Sequence, residues 1–134
     1  IGAGHTAVAL YELKLTDKAR RDTAAGWSVP LGTARLRWAR PAHHRDAGQV
    51  TEIQRAIMSG DLFADGDHAP AALRLAAVTA EFAEILRHSY WARDSRLGDL
   101  VPLAQALVQD LGTDDADELL QMLLRAAALE TDDD

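Results

Sequence analysis

The chain has 134 residues, no cysteine and a formal net charge of −7, with 48% apolar and 26% charged residues. This length and balance predict one folded globular domain with one core or two small ones, and not a disordered segment. The negative charge argues against a nucleic-acid-binding protein, which needs clustered Lys and Arg. The lack of Cys excludes disulfides and thiolate zinc sites, and no apolar run approaches the roughly 18 residues that cross a bilayer.

The first residues form a glycine-rich pattern. Gly2, Gly4 and Ala7 spell G-x-G-x-x-A, a form of the dinucleotide-binding fingerprint. Such a loop follows a strand and opens a helix, because the pyrophosphate binds the helix N-terminus. Here a single residue precedes Gly2, and the segment after Gly4 favours a strand. We therefore interpret the glycines as a turn into that strand, with a nicotinamide enzyme as the weaker alternative.

Three segments are predicted to be β-strands. Residues 6–15, "TAVALYELKL", alternate in strand geometry, although Leu, Ala, Glu and Lys are also good helix formers. The residues on one face of that strand are Ala7, Ala9, Tyr11, Leu13 and Leu15. Residues 33–40, "TARLRWAR", place Trp38 on the apolar side and stop at Pro41, which would break a ladder. Residues 50–58, "VTEIQRAIM", form the third candidate.

The residues between the predicted strands are predicted to form loops, and the residues after the last strand are predicted to form helices. Residues 16–32 contain glycines and a proline and predict a loop. Residues 71–89 follow Pro70 with helical spacing. Their apolar stripe is Leu75, Val78, Phe82 and Ile85. A second helix is predicted to begin near Gly98, so that Pro102 falls in its first turn, and to end at Gly112. Its candidate N-caps are Asp94, Ser95 and Asp99.

A third helix is predicted to start after Thr113, with carboxylates in its first turn at the positive end of the helix dipole. The predicted fold class is therefore α+β, with a small antiparallel β-sheet of about three strands followed by a C-terminal three-helix unit. Residues 1–60 form the strand-rich segment, and residues 61–134 form the helical one. Because the chain begins with Ile and has no signal-peptide pattern, we expect a fragment of a larger multidomain protein whose sheet begins upstream.

The histidines and acidic residues do not spell a metal site or a catalytic site. His43 and His44 are adjacent and would project to opposite faces of a strand, so they cannot easily share a metal. Asp65, Asp67 and His68 could gather a divalent cation, but the stretch lacks the further ligands of a calcium loop. The sequence therefore predicts no catalytic residue, no cofactor-binding residue and no metal ligand.

Three tryptophans are the candidate interaction residues. Trp27, Trp38 and Trp91 are singled out because Trp is enriched at binding hot spots. The alternative is that each one fills or covers the core. Neither alternative involves chemistry by the side chain itself.

Several stretches together resemble a known family. "IGAGHTAVALYEL", "ARLRWARP", "AVTAEFAEILRHS" and "SRLGDLVPLAQAL" occur in the order found in the C-terminal domain of unknown function of bacterial von Willebrand factor type A (vWA) domain-containing proteins. The resemblance implies that the family's metal-ion site lies in the vWA domain, outside these residues, and that this domain has no assigned catalytic residue. It also implies an adjacent vWA domain as partner and a bacterial cell-envelope or secreted parent protein.

The function predicted from the sequence is accordingly not enzymatic. We expect a C-terminal module that gives structural support or mediates protein–protein interaction, with an unidentified protein partner and with no nucleic acid. Exposed β-edges also predict self-association. The alternative is a small-molecule or divalent-metal-binding domain that uses the His and Asp residues near His68 or a cleft between the sheet and the helices.

Overall fold

The computed structural model of the chain describes residues 7–40, 45 and 47–132. The elements in chain order are α1 Asp17–Ala24, β1 Pro30–Ala39, β2 Val50–Met58, α2 Ala71–Leu86, α3 Leu97–Leu111 and α4 Asp114–Asp132. Single 3₁₀ turns are formed by Ser59–Asp61 and Tyr90–Ala92. The described residues divide into two compact units: a hairpin unit of residues 12–64, and a helical unit of residues 7–11 and 65–132.

The hairpin unit is built on one antiparallel pair, β1 and β2. Leu36 lies opposite Ile53 on one face, which also carries Arg55 opposite Ala34, and Arg37 lies opposite Glu52 on the other face. A register shift interrupts the ladder between Pro30 and Gly32. Both strands were predicted, and β2 has the predicted bounds.

The predicted first strand is wrong for the residues that the structure describes. Residues 7–16 carry no regular secondary structure. Within the described chain, no hydrogen bond joins residues 7–14 to another residue. Alternation alone does not make a strand, because the backbone must also find a ladder partner. The helix that would open directly after a dinucleotide loop is also absent from residues 7–16, while Gly2 and Gly4 lie outside the described residues.

Helix α1 was predicted as loop, and local interactions explain it. The Thr16 hydroxyl accepts a hydrogen bond from the backbone N–H of Ala19 at 3.2 Å, which caps the helix. Asp17 lies in the first turn, where the helix dipole favours a carboxylate. Lys18 pairs with Asp22 one turn later. Capping and charge spacing therefore outweigh the glycines and the proline that follow in the sequence.

Helix α2 ends three residues before its predicted end because of its C-terminal cap. His88 adopts a left-handed conformation, with φ 53°. The N–H of Ser89 donates to the carbonyl of Glu84, and the N–H of His88 donates to the carbonyl of Ile85, both at 2.9 Å. This is the hydrogen-bond pattern of a Schellman motif, which glycine usually provides. With no glycine here, the sequence carried no signal for the end of the helix.

Helices α3 and α4 begin and end close to their predicted positions. Gly112 is left-handed with φ 57° and closes α3, as predicted. Helix α4 begins at Asp114, directly after Thr113. Two details were wrong: Arg96 occupies the N-cap of α3 without a side-chain cap bond, and Pro102 lies in the second turn because the helix starts at Leu97.

The hydrophobic core of the described residues lies in the helical unit. Its cluster combines side chains from α2, α3 and α4, namely Val78, Phe82, Leu97, Leu100, Ala104, Leu107, Leu119 and Leu123. Within residues 7–40, 45 and 47–132, the fold class is α+β as predicted, but with two strands instead of about three and with four helices instead of three. Among the described residues, no helix is both long enough and apolar enough to span a membrane.

Leu107 offers a direct test of this core. It is 1% exposed, so Leu107→Ala should lower the free energy of unfolding by about 2–5 kcal/mol through lost burial and the cavity left behind. The control is Leu103→Ala on the same helix, where the side chain is 44% exposed and the loss should stay below about 1 kcal/mol. The measurement is chemical denaturation of both variants, and equal losses would contradict the assigned core.

Candidate functional site

The exposed surface of the hairpin is the first candidate site. Ladder geometry places Thr51 and Arg55 on one side of the two strands together with five apolar side chains. We call this set the apolar hairpin face: Ala34, Leu36, Trp38, Ile53 and Ile57. Leu36 is 59% exposed, Ile53 55% and Trp38 43%, and no residue of either strand is buried. Burying such side chains stabilises by about 1.5–3 kcal/mol each, so this face has a strong tendency to acquire a cover.

Trp27 is held at the base of the hairpin by Ser59. The Ser59 hydroxyl donates to the carbonyl oxygen of Trp27 at 3.0 Å and accepts from the N–H of Val29 at 3.1 Å. The Ser59 N–H donates to the carbonyl oxygen of Val29 at 2.9 Å. The backbone of Trp27 is therefore fixed while its indole remains exposed.

Trp91 belongs to the helical unit, in the 3₁₀ turn between α2 and α3. Its ring meets that of Tyr90 edge to face, with 5.4 Å between the ring centroids. The guanidinium of Arg93 lies 4.3 Å from the centroid of the Tyr90 ring, in cation–π geometry. Trp91 is 82% exposed.

The three tryptophans belong to different parts of the chain. Trp27 precedes β1 and Trp38 lies eight residues beyond its first residue, about 26 Å along an extended strand. Trp91 lies in the other unit. All three are exposed, so none of them fills the core, while the alternative that they cover it is untested. Their role in binding stays a prediction.

Of the candidate cation ligands Asp65, Asp67 and His68, the structure joins the side chains of Asp65 and His68. Nδ1 of His68 lies 2.6 Å from Oδ1 of Asp65, which also accepts from the N–H of His68 at 3.1 Å. These hydrogen bonds, the side-chain one first, hold the pKa of the Asp65 carboxyl below its usual value. Among the described residues, no group of three or more His, Asp or Glu is placed to hold a metal ion. His5, His43 and His44 lie outside the described residues.

A groove within the helical unit was missed by the sequence analysis. It runs between α2 and α4, has a volume of about 660 Å³, and is bordered by Val8 and Leu10 of the N-terminal segment. Its lining residues on α2 are 72, 75, 76, 79 and 80, and on α4 they are 115, 118, 119 and 122. Both sets follow the spacing i, i+3, i+4, i+7 of one helix face. This spacing is visible in the sequence and could have indicated a groove-lining stripe on each helix. In the sequence, however, each of these stripes overlaps with the stripe of core residues on the same helix.

The comparison with known families agrees with a C-terminal domain. A family model described as "Uncharacterized protein YfbK, C-terminal" matches residues 1–129. The chain therefore belongs to this family of C-terminal domains. No curated protein and no solved structure matches the chain significantly.

The contact between Asp65 and His68 can be tested by titration. His68→Ala removes the hydrogen bond of the imidazole, which is the first cause of the lowered pKa, so the pKa of Asp65 should rise towards its ordinary value. The carboxyl carbon of Asp65, followed by NMR during an acid titration, reports this pKa. His88→Ala is the control and should leave the pKa of Asp65 unchanged. An Asp65 pKa that does not respond to His68→Ala would contradict the pair.

Proposed function

We propose that this C-terminal domain is a non-catalytic module that binds an adjacent protein domain through the apolar hairpin face. The observation that carries this proposal is the exposure of Leu36, Trp38 and Ile53 on one side of a two-stranded sheet. A two-stranded hairpin without a covering layer is at best marginally stable in water. A hairpin of this length therefore needs a second layer, and a partner domain supplies one.

The polar residues of the described chain support the non-catalytic part of the proposal. No polar or charged residue among the described residues is buried. Catalytic groups usually lie in clefts where burial and neighbouring charges strongly shift the pKa. The resolved pKa shifts concern Asp65 and Glu84, and hydrogen bonds at the protein surface are their main cause.

The proposed partner is a vWA domain in the parent chain. The support is the resemblance of the four stretches quoted above to C-terminal domains of vWA proteins. The sheet of the described residues also ends at β1 on one side and at β2 on the other, so each strand offers an open edge. A strand from the adjacent domain can extend such an edge while the apolar hairpin face packs on that domain.

A paired substitution tests the proposal without breaking the hairpin. Leu36→Glu with Ile53→Lys removes the aliphatic pair but places opposite charges across the ladder, which preserves strand pairing. The matched control swaps an existing pair on the other face, Arg37→Glu with Glu52→Lys, and also keeps the net charge. Each full chain is titrated by calorimetry with the vWA domain encoded by the same gene.

We expect the wild-type chain to bind the vWA domain. The Leu36→Glu/Ile53→Lys variant should bind at least about tenfold more weakly, because the loss of two buried aliphatic side chains exceeds 1.4 kcal/mol. The charge-swapped control should stay within about twofold of wild type. Equal affinities in all three proteins would refute the apolar hairpin face as the interface. A gene without a vWA region would refute the named partner.

A further inference from the structure

The groove between α2 and α4 is a second surface, separate from the hairpin. It lies entirely within the helical unit. Leu75 and Leu119 line it and also pack in or against the core cluster. The apolar surface of the core therefore continues into the groove.

The α2 wall of the groove carries three small side chains beside Leu75 and Thr79. Ala72, Ala76 and Ala80 recur every four residues along α2 and form a low ridge. Such ridges let the axis of a neighbouring helix approach to about 8 Å. A helix therefore fits this wall more closely than an irregular loop.

The opposite wall adds negative charge to an apolar surface. Asp115 and Glu118 of α4 line the groove beside Met122, and no basic residue lines it. Within the described chain, neither carboxylate takes part in a hydrogen bond or an ion pair that would neutralise it. The partner must therefore bring positive charge together with aliphatic side chains.

The sequence of the helical unit shows the same imbalance. Residues 65–134 contain fifteen Asp and Glu but only five Arg and no Lys. Three of these arginines already pair with carboxylates of the same region, Arg74 with Asp110, Arg87 with Glu84 and Arg93 with Asp94. Few cationic side chains of the helical unit are therefore left to balance the negative charge of Asp115 and Glu118 in the groove.

The described N-terminal residues, 7–11, do not fill the groove. Val8 and Leu10 border it, but they remain 71% and 41% exposed. Their positions two residues apart show that aliphatic side chains fit beside the groove.

We propose that this groove binds a basic amphipathic helix of another protein, with a stripe of aliphatic side chains flanked by Lys or Arg. The aliphatic stripe packs on Leu75, Leu119 and Met122, and the flanking cations meet Asp115 and Glu118. The bound helix completes a four-helix arrangement with α2, α3 and α4. This proposal concerns a different surface and does not depend on the function of the hairpin.

The probe is a synthetic, fluorescently labelled peptide of roughly 18 residues, made of Leu and Lys with Leu at the spacing of one helix face. One control peptide has the same composition in scrambled order, and a second has Glu in place of Lys. Binding to the full chain is measured by fluorescence anisotropy. The ordered Leu/Lys peptide should bind at least about tenfold more tightly than the scrambled peptide, and the Glu peptide should not bind.

Two variants then locate the site. Asp115→Asn with Glu118→Gln should weaken binding on the order of fivefold, since each exposed ion pair contributes up to about 1 kcal/mol. The matched control is Asp114→Asn with Asp117→Asn, which removes the same charge from the same helical turn but outside the groove, and it should change affinity less than twofold. Ala76→Trp fills the groove and should abolish binding while the melting temperature stays close to that of wild type.

Three results would overturn the proposal. The first is equal binding of the ordered and scrambled Leu/Lys peptides. The second is an equal loss of affinity in the two charge variants. The third is a dimer of the chain in sedimentation velocity that Ala76→Trp dissociates, which would make a second copy the occupant.

Discussion

The apolar side of the two-stranded sheet needs a covering layer, and this need is the main physical constraint on the domain. The buried apolar residues of the described chain all lie between positions 78 and 123, in the helical unit. The strands of the hairpin contribute none, although they carry Leu36, Trp38 and Ile53 on one face. Sheets are normally stabilised when a second layer buries such a face. The helical unit thus has its own core, whereas the hairpin has an apolar face that requires a covering layer.

The charged residues also differ between the hairpin unit and the helical unit. Residues 12–64 contain nine Lys and Arg against six Asp and Glu, whereas residues 65–134 are strongly acidic. The net charge of the whole chain therefore conceals two surfaces of opposite sign. The hairpin combines aliphatic side chains with arginines, and the α2–α4 groove combines them with carboxylates. These chemistries suit different partners, so the two proposed surfaces do not compete for one ligand.

Patterns with a local cause were predictable from the sequence. Strand β2 and the end of α3 at Gly112 follow from alternation and from the left-handed preference of glycine. The predicted first strand was wrong because residues 7–16 have no ladder partner among the described residues, and alternation alone cannot supply one. Helix α1 and the end of α2 depend on the Thr16 cap and on His88 in a left-handed conformation, which composition does not reveal. The groove depends on how α2 and α4 pack on α3, which only the tertiary structure shows.

Amide hydrogen exchange in the chain without a partner tests the central claim most directly. Followed residue by residue by NMR, exchange reports how often each backbone hydrogen bond opens. We expect the amides of the β1–β2 ladder to be protected at least about a hundredfold less than those around Leu107 in α3, because Leu36 and Ile53 of the apolar hairpin face are more than half exposed. Ladder amides as strongly protected as those of α3 would show that the hairpin is stable by itself and would contradict the account.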